Sequence, residues 1–65
     1  MREHEAAQRA AKLSRERNEL MFVIYEPEYC ESPRNCFWVC NEYDLETFYL
    51  GAVPRAAYEG GRMVE

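Results

Sequence analysis

The stretch Leu20-Met21-Phe22-Val23-Ile24-Tyr25-Glu26-Pro27 decides how this chain folds. It opens with an unbroken apolar run rich in β-branched and aromatic residues, the composition of a strand. Pro27 ends it, because proline donates nothing to a ladder and disfavours helix in the residue before it. On the N-terminal side, residues 2–17 contain no glycine, proline or β-branched residue, and Ala, Arg, Glu, Gln, Lys and Leu all favour helix. The character of the chain therefore switches at Leu20, from one helix over 1–20 to a small sheet over 21–53.

Winding the helix at 100° per residue places Ala6, Ala7, Ala10, Leu13, Ser14 and Met21 on one arc, with Arg2, Glu5, Arg9, Lys12 and Glu16 on the other. The packing face is narrow and built of small side chains, which let a helix sit close to a sheet or to another helix. Ala6, Ala10 and Leu13 also fall near heptad spacing with Arg17 intruding, so these four residues are a candidate dimer face. The stretch is shorter than the three heptads a coiled coil sustains, and packing on the chain's own sheet is the simpler use of that face.

Beyond the first strand, 27–35 reads as a loop, 36–42 as a second strand and 47–52 as a third, with 41–46 as the turn between the last two. That gives a three-stranded antiparallel meander. Pro54 then suits the first position of a short helical turn through Tyr58, ended by Gly60, with 62–65 as a frayed tail or short edge strand. The expected fold is α+β, one domain, with a C-terminal turn and tail over 54–65.

A chain of 65 residues buries a thin core and usually gains support from a disulfide, a metal or a partner. Alternation makes both sheet faces apolar, with Phe22 and Ile24 opposite Val23 and Tyr25, and Trp38 opposite Phe37 and Val39. One helix covers one face, so the other calls for a cover from the chain or from a second protein, and exposed aromatic patches commonly mark interaction sites.

Charge is uneven. Residues 1–20 carry five basic and four acidic side chains, and 21–65 carry three against eight. The acidic sheet half attracts basic surfaces and repels nucleic acid, and the basic residues of the helix are interleaved with acids, so no basic stripe forms. The longest apolar run is far short of the roughly 20 residues a membrane span needs. The polar opening and odd cysteine count point to the reducing cytosol, hence a cytoplasmic protein.

Cys30, Cys36 and Cys40 invite a zinc reading, with His4 or a second subunit completing the ligands. Their spacing is not that of a zinc knuckle, and two cysteines four apart in one strand lie about 13 Å apart, too far to share one ion. Buried, unreactive thiols are the simpler reading. No cofactor is expected. The sole histidine sits in the first turn of the helix, away from any thiol, and no phosphate loop or dinucleotide fingerprint occurs, so the chain does not read as an enzyme.

What remains is binding. The candidate partner-binding residues are Tyr25, Tyr29, Trp38, Tyr43 and Tyr49 as anchors, with Glu26, Glu28, Glu42, Asp44 and Glu46 steering a basic protein. An inhibitor or adaptor is the expected role; a zinc-dependent regulator and a structural homodimer are the alternatives. In general character the chain is similar to the small acidic accessory proteins with which bacteriophages block host machinery, a likeness that no motif carries.

Overall fold

The computed structural model describes residues 1–27, Cys30 and 33–64. Its elements run α1 (Glu3–Glu16), β1 (Met21–Tyr25), β2 (Phe37–Asn41), α2 (Glu42–Thr47), β3 (Pro54–Glu59) and β4 (Arg62–Met63), with a 3₁₀ turn at Pro33–Asn35 before β2. The α+β class expected from the sequence is present, and the sheet has four antiparallel strands rather than three, in the order β2-β1-β3-β4.

Both ends of α1 are set locally. Glu5 reaches back to accept the Arg2 N–H at 3.2 Å, occupying one of the donors that a helix start leaves unpaired. At the other end Asn18 adopts φ 52°, and the Glu19 N–H returns to the Ser14 carbonyl at 3.2 Å. Asparagine tolerates this left-handed geometry, so the helix stops and the chain turns into β1.

The face of α1 toward the sheet is Ala6, Ala10 and Ser14, all with no exposed surface. Spaced four apart, they form one stripe along the helix. Beneath them lie Met21 and Val23 of β1, Phe37 of β2 and Tyr58 of β3, flanked by Tyr25, Val39 and Ala56. The candidate dimer face is therefore corrected: Ala6 and Ala10 are consumed by the chain's own core, Leu13 is half-buried against it, and Arg17 is an exposed helix cap.

Ser14 closes the packing with two hydrogen bonds. Its hydroxyl donates to the Ala11 carbonyl at 2.9 Å and accepts the Gly61 N–H at 2.9 Å, tying the helix to the β3–β4 turn. Gly60 and Gly61, at φ 61° and 86°, form a two-residue turn between the paired residues Glu59 and Arg62. Positive φ at both positions matches the twist of a hairpin, which explains why Gly60 does not end a helical turn as expected. Residues 54–58 are strand because β1 has a second edge to fill. Pro54 stands at the first strand position, where no ladder donor is lost.

The expected third strand at 47–52 is absent, and the expected turn at 41–46 is α2. Asn41 accepts the Asp44 N–H at 2.7 Å through its side chain, and Glu42 and Asp44 stand in the first turn, where the helix dipole favours acids. The Asn41 amide also donates to Glu19 at 3.0 Å, fastening the start of α2 to the α1–β1 link. The meander is thus corrected to a sheet in which β1 is central, flanked by β2 and β3. On the face away from α1, Ile24, Cys40 and Ala57 are buried, and α2, packed on β1 and β2, contributes the cover that the sequence left open.

Ser14→Ala leaves the Gly61 N–H without its partner, and a loss of about 1–3 kcal/mol is expected in a urea melt with unchanged slope. Ala10→Leu forces helix and sheet apart, with an expected loss of about 1–3 kcal/mol in the same assay.

Candidate functional site

An open groove of about 870 Å³ lies where the ends of β1 and β2 meet the α2–β3 connection. It is lined by Tyr25, Glu26 and Pro27 at the end of β1, by Trp38 of β2, by residues 48–53 and by Arg55 of β3. The 48–53 wall is held by short backbone bonds. The Phe48 and Tyr49 N–H groups both return to the Asp44 carbonyl, at 2.8 and 3.2 Å, and the Ala52 N–H returns to Tyr49 at 2.9 Å. Gly51 at φ 94° completes the reversal.

Held by these bonds, the segment leaves its apolar side chains exposed. Phe48 is 71%, Leu50 85% and Val53 75% exposed, and Trp38 beside them is 39% exposed. Scattered apolar residues on a surface are ordinary, but these line one concavity.

Arg55 reaches the groove through an irregularity in β3. The β1–β3 register runs Val23 against Ala56 and then Ile24 against Pro54, leaving Arg55 as an extra residue. Such a bulge re-aims a side chain. The Arg55 guanidinium lies 5.8 Å from the centre of the Phe37 ring and 3.4 Å from the Glu3 carboxylate, while Phe37 stacks on Tyr25 with ring centres 5.0 Å apart. This aromatic and cationic stack fixes the end of the groove.

Of the expected partner-binding residues, Tyr25, Glu26, Trp38 and Tyr49 come together in the groove. Glu42, Tyr43, Asp44 and Glu46 lie on α2, the first two and Glu46 exposed and Asp44 half-buried. Glu28 and Tyr29 lie outside the described residues. Phe48, Leu50, Val53 and Arg55 were not anticipated. Placed in a strand, Phe48 and Leu50 read as core; the Gly51 and Pro54 punctuation within that stretch was the signal for a loop.

Cys30 and Cys36 form a disulfide, with Cα atoms 5.5 Å apart, in the range the bond requires. This corrects the zinc reading of Cys30, Cys36 and Cys40, since two of the three sulfurs are bonded to each other and unavailable as thiolates. Among the described residues no cluster of His, Cys, Asp and Glu is arranged to hold a metal ion. Cys40 is the free thiol, buried in the sheet face opposite α1. Burial, with the negative charges of Asp44 and Glu26 nearby, pushes it up to about 11. A thiol held protonated in this way is a poor nucleophile at neutral pH. No helix among the described residues is long and apolar enough to cross a membrane.

No protein-family model, curated protein or solved structure matches this chain.

Because folding raises the Cys40 pKa, its stabilising contribution is complete below the unfolded value of 9.0 and is lost as pH rises through about 11. Iodoacetamide at about pH 8 is expected to leave Cys40 unmodified in the folded chain and to label it in urea. Reducing the Cys30–Cys36 bond releases a short loop, and the chain-entropy relation gives an expected loss of about 2 kcal/mol in stability, read from urea melts with and without dithiothreitol.

Proposed function

We propose that this protein is a small, acidic, non-enzymatic binding module, an inhibitor or adaptor, that engages another protein through the groove between residues 48–53 and Trp38. The observation that carries the reading is the convergence of Trp38, Phe48, Leu50 and Val53 on one concavity while the chain's own core lies elsewhere. Tryptophan, tyrosine and phenylalanine are among the side chains enriched at interface centres, and Leu50 and Val53 add apolar area beside them. Glu26 on the wall and Glu42, Asp44 and Glu46 on α2 supply a field that speeds encounter with a basic surface. Nucleic acid and membrane surfaces, both anionic, are disfavoured as partners by the same field.

The cytoplasmic placement expected from the sequence is carried forward within this proposal, and the Cys30–Cys36 pair tests it. The cytosol keeps such pairs reduced, and oxidising compartments let them persist. A mass taken after trapping thiols in the intact host cell supports the cytoplasm if the pair is found reduced, and an oxidising compartment if it is found bonded.

The binding reading is tested by native mass spectrometry of the protein purified gently from its host. A complex with a second protein is expected. Leu50→Asp, at a site 85% exposed, is expected to leave stability within about 0.5 kcal/mol and to weaken that complex by at least about tenfold. Full retention of the partner by Leu50→Asp contradicts the reading.

A further inference from the structure

We propose that the groove takes a polypeptide segment in which a bulky aliphatic or aromatic anchor is accompanied, within a few residues, by lysine or arginine. This rests on the binding reading above and adds the chemistry of the occupant. The volume of about 870 Å³ suits a few side chains rather than a whole domain face. Trp38, Phe48, Leu50 and Val53, exposed in its lining, offer dispersion and burial to an apolar anchor, and Glu26 and Arg55 stand in the same lining.

Charge decides what flanks the anchor. Among the described residues no ion pair engages Glu26, Glu42, Asp44 or Glu46, the carboxylates of the groove wall and of the helix that leads into it. Arg55, the cation among the lining residues, pairs with Glu3 at 3.4 Å and lies 5.8 Å from the centre of the Phe37 ring. An arriving lysine or arginine therefore meets carboxylates with no competing partner. A second copy of this chain would bring the same carboxylates against each other, and an anionic bilayer would be repelled by them. The complementary occupant is a basic segment with an apolar anchor.

The test is selection of a random peptide library against the full chain, with the Leu50→Asp chain as counter-selection, followed by affinity measurements on the synthetic peptide most enriched. Recovered sequences are expected to share an aromatic or leucine anchor and at least two Lys or Arg. Leu50→Asp is expected to weaken the peptide at least about tenfold, as loss of an anchor contact does. The pair Glu42→Lys and Glu46→Lys is expected to slow association several-fold and to flatten its dependence on salt, the mark of electrostatic steering.

Enrichment of acidic or uncharged sequences, or of none, overturns the inference. So does a mass of twice the chain that Leu50→Asp returns to monomer, which would assign the groove to a second copy, or Leu50-dependent binding to phosphatidylserine vesicles, which would assign it to a membrane. If the host partner is lost with Leu50→Asp while no basic peptide is selected, this inference fails and the protein-binding reading stands. If the partner survives Leu50→Asp, the reading itself fails.

Discussion

The close seat of α1 on the sheet is the constraint from which the rest of the structure follows. Ala6, Ala10 and Ser14 have no exposed surface because nothing larger than a methyl or hydroxymethyl group separates the helix from Met21, Val23 and Tyr58. A chain of this size has few large residues with which to build a core, and close approach of backbones is the economical solution. It demands that the one polar group in the stripe be satisfied. The Ser14 hydroxyl meets that demand by bonding the helix on one side and Gly61 on the other. Gly61 stands at φ 86°, a conformation that L side chains rarely adopt, so glycine lets the turn close against the helix.

The groove is a consequence of the same arrangement. With α1 committed to one face and β3 and β4 to the free edge of β1, the chain between α2 and β3 has no core left to enter. Its backbone closes on itself through Asp44 and Tyr49, and its apolar side chains point outward beside Trp38. The bulge at Arg55 carries a guanidinium to the end of this segment, where Phe37 and Glu3 hold it. Folding thus leaves a largely apolar concavity whose lining includes Glu26 and which follows directly on the acidic helix α2, the combination on which the functional proposal rests.

Much of the first half of the fold was legible in the sequence. The unbroken run of helix formers and the apolar run from Leu20 give α1 and β1 directly, and the strand read over 36–42 from its aromatic and β-branched content is β2 at Phe37–Asn41. Residues 41–59 were not legible in the same way. Thr47 to Ala52 and Pro54 to Tyr58 both carry apolar residues at spacings a strand can use, and the choice between them is made by tertiary structure. The Gly60-Gly61 turn makes a hairpin of β3 and β4, and β1 has an edge to receive it. The capping of α2 by Asn41 competed with a turn at the same residues, and Asn41 itself, a side chain able to accept the backbone N–H three positions on, was the overlooked sign.

The site followed the same division. Tyr25, Trp38 and Tyr49 were expected at a surface because both sheet faces read as apolar and one helix covers one face, and all three line the groove. Phe48 and Leu50 were assigned to a third strand over 47–52 rather than to a binding surface, Val53 lay just beyond that strand, and a bulge such as the one at Arg55 leaves no mark in sequence. Three cysteines permit three pairings, and only the fold brings Cys30 and Cys36 to 5.5 Å. The most direct measurement is amide hydrogen exchange on the chain alone and within the complex isolated from its host. Protection rising at 48–53 and at the ends of β1 and β2, with α1 unchanged, is the predicted result; protection confined to the outer face of α1 or to β4 would contradict it.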